Sequence, residues 1–271
     1  MVTGLERGFE AAGYRLIVAS SRESEAREAE LVTRMNDWRV GGVILAPVRS
    51  QRGSGTEMLR ALDMQAVLID RVSADDQFDT VVADNYAASS FVADYLLDAG
   101  HKHILLHGAT RISKAVRTRV DGFTTRALAL QPDIQIDTLF SDDGLEAQRD
   151  SLNQYFDALE SDGHPTAVFS LSQRSTLLVL SELRRRALRI PDEVALIGFD
   201  DVDWMHITWP SITAVAQPVA AMAEAAVAAL LARIEGQNSG VPVQHLEACT
   251  MLVRESVEPN LSPSRRAHGD D

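Results

Sequence analysis

Val194–Gln217 reads VALIGFDDVDWMHITWPSITAVAQ. An apolar run, VALIGF, stops at two adjacent carboxylates, Asp200 and Asp201; a short loop, a Trp-Pro pair and a second β-rich run follow. Apolar residues without polar alternation are the pattern of a strand buried on both faces of a parallel sheet. Open α/β sheets take ligands just beyond the carboxyl ends of their strands, so acids standing there are candidates for ligand contact.

The same grammar recurs on both sides of this block. Tyr14–Ser20, Gly42–Ala46, Ala66–Ile69, Thr80–Ala83, His103–His107 and Ala167–Ser170 are short apolar runs of strand type. Helical patterns separate them. Glu23–Met35 sets Ala26, Ala29, Leu31 and Val32 against a charged face. In Tyr86–Ala99 the residues Phe91, Tyr95 and Leu96 recur at helical spacing, and Gly100 fits the position just past a helix end. Ser172–Ala187 and the Ala-rich Val219–Gly236 are further helices, the latter preceded by Pro218, which a first helical turn tolerates. Strands separated by helices indicate βαβ crossovers, hence an α/β fold with mainly parallel sheets flanked by helices.

The chain has 271 residues, 45% hydrophobic and 24% charged, with a formal net charge of −13. That length suffices for two compact lobes. Gripping a DNA backbone requires clustered Lys and Arg, so these residues are not expected to form a DNA-binding surface. The single Cys249, within LEACTMLV, excludes an intrachain disulfide and reads as a small buried apolar group. The N-terminus lacks a basic segment followed by an apolar core, and no apolar run is long enough to span a bilayer, so a cytoplasmic protein with no membrane partner is expected.

Polar groups that end separate strands converge in an α/β crevice. Here they are Asp70 after AVLI, Asp84 after TVVA, Ser172 just after AVFS and Asp200 after VALIGF, with Arg119 on the helix that follows HILLHG. A carboxylate accepts from two adjacent hydroxyls and a guanidinium fork donates two hydrogen bonds, so an Asp/Arg/Asp set suits a sugar or related polyol. Gln173 and Trp204 are secondary candidates, Trp204 for stacking on a sugar ring or else for packing, as also for Trp209. Structural alternatives stand beside each: Asp200 as a cap on the segment after its strand, Asp70 paired with Arg71, and Arg119 as a solvated charge among the arginines of Arg111–Arg126. His101, His103 and His107 lack Cys or Glu partners at ligand spacing, so structural roles outweigh a metal site. Nucleophile-elbow, P-loop and dinucleotide motifs are absent, and adjacent strand-end acids point to opposite sides, so Asp200 and Asp201 would not share a proton. The residues thus imply no enzyme, no metal and no cofactor.

The Val194–Gln217 block resembles the GFDD…P.LT.V.Q signature of the LacI/GalR family of transcriptional regulators. Other segments resemble that family in the same order. Val40–Pro47 is similar to its "VDGIILAP" strand and Val67–Arg71 to "VVLIDR". Asp84–Ile104 resembles "DN..ga..a..hLi..GHrrI", Arg119–Phe123 "R..GF", and Leu252–Ser256 the closing "LvvReS". The resemblance covers nearly the whole chain and implies a periplasmic-binding-protein-like pair of α/β lobes, each discontinuous: residues 1–83 plus 218–246, then 84–217 plus 247–258, with a disordered tail at 259–271. It places Asp70, Arg119 and Asp200 where family members contact effectors. Where the family commonly has Asn-Asp, this chain has Ser172-Gln173, which points to a different or bulkier ligand.

The resemblance further implies the effector-sensing and dimerising core of a DNA-binding regulator, of repressor type, in which ligand binding shifts a two-state equilibrium. Its partners would be a small-molecule effector, a second copy of itself, and operator DNA through a headpiece. Met1 falls inside the family's first core helix, so the headpiece and the first core strand are expected to be absent and the N-terminal lobe incomplete. The missing strand would lie between Tyr14–Ser20 and Gly42–Ala46, leaving two apolar edges and an aggregation-prone chain. Helices at Met1–Ala12, Thr56–Asp63 and Val219–Gly236 are the expected dimer contacts, with Leu230 as a test position. The alternative is a solute-binding protein of a sugar transporter, which shares the fold.

Overall fold

The computed structural model describes residues 1–50, 52–72, 75, 77–108, 113–140, 144–159, 165–237 and 240–257. Arg111 and the 259–271 tail lie outside them. Two compact units are present: Met1–Asp84 with Ile112–Ala115 and Pro218–Ala248, and Asn85–Arg111 with Val116–Gln217 and Cys249–Asp271. Elements are numbered in chain order.

The first unit holds α1 (Val2–Ala11), α2 (Glu25–Asp37), β1 (Val43–Leu45), α3 (Ser54–Ala61), β2 (Ala66–Ile69) and β3 (Asp79–Ala83). The chain returns to this unit for α9 (Val219–Ile234) and β9 (Gln244–Glu247). Its sheet is wholly parallel, in the order β1-β2-β3-β9. β2 and β3 are buried along their whole length, β2 as a continuous apolar run and β3 with Asp79 and Thr80 buried ahead of its apolar residues. One face packs Ala66, Leu68 and Val82 against Val32, Leu59 and Phe78. On α2 the buried positions are Val32 and Glu28, while Ala26, expected on the inner face, is exposed. Arg233 of α9 forks onto Asp79 (2.8 and 2.9 Å), which also accepts from the Val243 N–H at 2.7 Å, tying helix to strand. Leu230 is buried, so substituting it would test folding and not self-association.

The expected strand at Tyr14–Ser20 does not form. The backbone of Arg15–Ala19 makes no hydrogen bond to any described residue, and Ile17 and Val18 are exposed. A strand exists only through its ladder, and this run has no paired neighbour among the described residues. β1 shows the complementary defect: among the described residues it pairs with β2 alone, and it is only half-buried.

The second unit contains α4 (Asn85–Asp98), β4 (His103–Gly108), α5 (Lys114–Leu130, whose first residues belong to the first unit), β5 (Gln135–Phe140), α6 (Leu145–Ala158) and β6 (Ala167–Ser170). It continues with α7 (Gln173–Arg185), β7 (Ala195–Phe199), α8 (Asp203–Ile207), β8 (Thr213–Ala216) and β10 (Thr250–Leu252). Its sheet runs β10-β8-β7-β6-β4-β5, parallel except for β10. One face buries Val92, Leu96, Phe123, Phe169 and Phe199; the other buries Leu105, Val168, Leu183, Leu196 and Met205. Phe91, expected on the inner stripe of α4, is exposed, and Cys249 is half-buried instead of buried. Gly100 follows α4 with φ +88°, the left-handed conformation that a helix stop needs. No helix among the described residues is long and apolar enough to cross a membrane.

Candidate functional site

The constellation in the second unit is assembled at the carboxyl ends of β6 and β7. Every residue from Val194 to Phe199 except Gly198 packs a buried apolar side chain, and the strand ends where Asp200 turns with φ +73°. The Asp200 N–H donates to the Val215 carbonyl at 2.9 Å, and its Oδ1 accepts from Gln217 Nε2 at 2.5 Å. Oδ2 has no hydrogen-bond partner among the described residues. α8 begins after Val202, so Asp200 does not cap it.

Arg119 reaches this point from α5. It is 4% exposed, which removes the solvated-charge alternative. Its Nε donates to Asn85 Oδ1 at 2.7 Å, its Nη1 to the Leu171 carbonyl at 2.6 Å, and the guanidinium carbon sits 3.5 Å from the Phe199 ring centroid. A planar cation stacked on an aromatic face and pinned by two acceptors is held in one orientation. Gly122, one turn further along α5, makes this reach possible. A Cβ there would lie 3.0 Å from Tyr86 Cα and closer still to its carbonyl oxygen, so only glycine lets α5 approach the start of α4.

Ser172 is the N-cap of α7, its Oγ accepting from the Ser175 N–H at 3.2 Å. It adjoins the Leu171 carbonyl held by Arg119. Arg119, Ser172 and Asp200 are therefore joined through Leu171 and Phe199. Gln173 opens α7 and is exposed. Trp204 packs against the opposite core face from Phe199, and Trp209 is exposed. Asp70 and Asp84 belong to the first unit. Asp70 ends β2 with φ +68°, 3.8 Å from Arg71 Nε; Arg71 itself binds both oxygens of Glu23. The surface-pair alternative for Asp70 thus exists as a long, half-exposed contact. Asp84 follows β3 and donates its N–H to the Glu247 carbonyl at 2.7 Å.

Asp201 does different work from its neighbour. Arg254 lies against both of its oxygens (Nη1–Oδ1 2.8 Å, Nη2–Oδ2 2.9 Å), with His206 Nε2 at 3.0 Å. Burial alone would raise this carboxyl; hydrogen bonds and charge from Arg254, then from His206, outweigh it and hold it below the usual aspartate value. Glu255 and Ser256 extend the clamp: Glu255 accepts from Ser211, and Ser256 bridges the Leu196 carbonyl and the Thr213 N–H. The closing Arg254-Glu255-Ser256 string therefore fastens the β7–β8 connection.

His107 and Ser175 form a buried pair, Nδ1 to Oγ at 2.5 Å, and burial pushes the imidazole down to about 4. Ser175 also donates to the His107 carbonyl at 2.7 Å. Both side chains lie inside the fold, joining β4 to α7 as a staple. His103 bonds Asp137 at 2.7 Å, and Tyr155 donates to the same oxygen at 2.6 Å. Two residues of the constellation were not among the candidates from sequence. Asn85 stood in the DN pair, and Gln217 closed the V.Q string.

Residues 93–257 match the model of the periplasmic binding protein-like domain family. The HTH-type transcriptional regulator PtxS of Pseudomonas plecoglossicida is 31% identical over 254 residues, covering 92% of this chain and 71% of that protein. Among solved structures, the transcriptional regulator CelR–cellobiose complex superposes with a TM-score of 0.83 at 24% identity, covering 94% of this chain and 77% of that one. A periplasmic binding protein/LacI transcriptional regulator from Alkaliphilus metalliredigens, complexed with D-xylulofuranose, gives 0.80 at 23% identity, covering 95% and 92%. These last two show the fold. With strand-end geometry, domain model and regulator relatives in agreement, the chain belongs to the LacI/GalR family of transcriptional regulators and carries its periplasmic-binding-protein-like effector domain.

Proposed function

We propose that this chain is the effector-sensing core of a cytoplasmic LacI-type repressor, taking a sugar or related polyhydroxylated molecule. The family is non-catalytic. The observation that carries the proposal is the Arg119–Phe199–Asp200 arrangement. The guanidinium is fixed by stacking on Phe199, and the next residue in the chain, Asp200, has one carboxylate oxygen fixed by Gln217, which leaves Oδ2 to accept from ligand hydroxyls. Ser172 is proposed as a further contact through its hydroxyl hydrogen. Asp70 and Asp84 are proposed on their own strand-end positions, and Gln173 and Trp204 as lesser contacts. Two of the solved relatives are named as complexes with a pentulose and a disaccharide, which supports the ligand class.

A regulator also needs the effector to bind two conformations unequally, since equal affinity shifts nothing. The functional unit is proposed to be a homodimer, with operator DNA contacted by a helix-turn-helix segment outside these 271 residues. The net charge of −13 fits a core that does not itself hold phosphate. The test is a thermal-shift panel of D-ribose, D-xylulose, cellobiose, nucleosides and sugar phosphates on the wild type and Asp200→Asn. A true effector at 100 times its Kd stabilises by about 2.7 kcal/mol. One panel member is expected to raise the wild-type midpoint and to lose that effect in the variant. A panel without any shift, or an equal shift in both proteins, overturns the proposal.

A further inference from the structure

The chain doubles back at Asp200. Past the turn, Met205 lies beneath β7: a Cβ on Gly198 would stand 3.2 Å from its Cε, and its carbonyl accepts from the Ile212 N–H at 2.9 Å. Val202 and Trp204 pack on the same core face. A left-handed aspartate persists only where the structure holds the chain on both sides of it. On the strand side that hold is the Asp200 N–H to the Val215 carbonyl. On the returning side the Asp201 carboxylate meets Arg254.

Arg254 is itself built in. Its backbone N–H donates to Thr213 Oγ1 at 2.9 Å. Its Nη1 donates to the Ile212 carbonyl at 2.6 Å while standing 2.8 Å from Asp201 Oδ1, and its Nη2 donates to Oδ2 at 2.9 Å. Ser256 secures the same place, accepting from the Thr213 N–H at 2.8 Å and donating to the Leu196 carbonyl at 2.5 Å. The start of β8 thus orients the guanidinium, and the guanidinium orients Asp201. A lysine would supply the charge but not two coplanar nitrogens that serve a carbonyl and a carboxylate together. His206 does not duplicate this contact, because its exposed ring reaches Oδ2 alone, at 3.0 Å. Gln217 grips the Asp200 carboxylate by one oxygen, and a single side-chain bond leaves the backbone turn unspecified.

We propose that Arg254 is a positioning residue of the effector site. Through Asp201 it holds the left-handed turn at Asp200, and with it the place of the Asp200 carboxylate. The role rests on the reading of Asp200 as an effector contact; Arg254 acts through its neighbour and not on the effector.

The experiment sets Arg254→Lys against Glu255→Gln. The second variant weakens a contact of the same string that ends on Ser211 instead of Asp201, so it reports general loosening. Amide hydrogen exchange is read at Asp200 and, as reference, at Ile197 inside β7, with no ligand added. Arg254→Lys is expected to speed exchange at Asp200 about tenfold or more and to leave Ile197 unchanged; Glu255→Gln is expected to move neither. D-ribose, D-xylulose and cellobiose are then titrated by calorimetry at a temperature where every variant is folded. A sugar that binds the wild type is expected to bind Arg254→Lys about tenfold more weakly and Glu255→Gln equally well. In an Asp200→Asn background the lysine substitution is expected to cost little further affinity, since the two residues act on one contact.

Unchanged exchange at Asp200 in Arg254→Lys overturns the proposal, as does equal acceleration in Glu255→Gln or full affinity in Arg254→Lys. Should Arg254→Lys not fold, Asp201→Asn undoes the same contact from the other side and is read in the same way. A panel that binds none of the proteins overturns the effector reading alone, and the exchange comparison then decides whether Arg254 holds the turn.

Discussion

Asp70 and Asp200 share one backbone turn. Their φ angles are +68° and +73°, and each donates its N–H to a valine carbonyl on the adjoining strand, Val81 at 3.0 Å and Val215 at 2.9 Å. In both cases that valine is the partner of the residue just before the aspartate. Each unit thus ends one buried strand with a left-handed aspartate, a conformation that Asp and Asn tolerate better than other side chains. The turn stands at the carboxyl end of each strand, the end at which open α/β sheets take ligands.

Asp200→Asn is expected to keep the turn, because asparagine suits the left-handed region, and to change stability by less than about 0.5 kcal/mol. Asp200→Val is expected to cost about 1–2 kcal/mol through backbone strain alone. Urea unfolding of the two variants separates strain from lost ligand contact.

Asp201→Asn should behave quite differently from the substitution next to it. It leaves the half-buried Arg254 guanidinium beside a neutral amide, an expected loss of about 1–3 kcal/mol at pH 7. The Asp201 carboxyl is held below its ordinary value, so its contribution is present above the unfolded aspartate range and disappears as pH falls through the folded value. Urea midpoints for wild type and variant should therefore converge at acid pH. A gap that stays constant down to low pH would show that charge is not the cause.

His107 imposes a pH dependence of opposite origin. The folded imidazole is pushed down to about 4 by burial, against about 6.5 in the unfolded chain. Between those values the unfolded state takes up a proton that the folded state refuses. Stability should fall by about 3 kcal/mol as pH drops from roughly 6.5 to 4. His107→Gln loses the Ser175 bond at every pH, yet its slope over that window should be smaller. Denaturant series at four or five pH values give the slopes directly.

Gly122→Ala places a methyl group against the Tyr86 backbone, which cannot swing aside as a side chain would. The expected loss is about 1–3 kcal/mol, together with displacement of Arg119 from Asn85. Thermal shift by the effector should shrink beyond what the stability change explains, because the guanidinium no longer meets Phe199 in its fixed orientation.

Much of the fold is legible along the chain. Ala66–Ile69 and Ala167–Ser170 match their apolar runs residue for residue, and Gly100 ends α4 as its position suggested. Tyr14–Ser20 shows the limit of such reading. Its composition is that of a strand, but pairing depends on a neighbour elsewhere in the molecule, and its backbone at Arg15–Ala19 bonds to no described residue. Phe91 fails for a related reason: helical spacing identifies a stripe, and only packing decides which side of it faces inward.

Among the candidate site residues, Asp200 and Arg119 were visible as strand-end acid and helix cation. Which of the paired acids is structural was not visible, and neither were the supporting roles of Asn85 and Gln217. Asp201 finds Arg254 across 53 residues and Arg119 finds Leu171 across 52. Periodicity, turn chemistry and strand-end polarity are local properties, so the amino-acid order alone sets the α/β class and the positions of the polar ends. A side chain's partner is set by whatever the folded sheet brings beside it. The different partners of Asp200 and Asp201 and the stacking of Arg119 on Phe199 were therefore decided only in three dimensions.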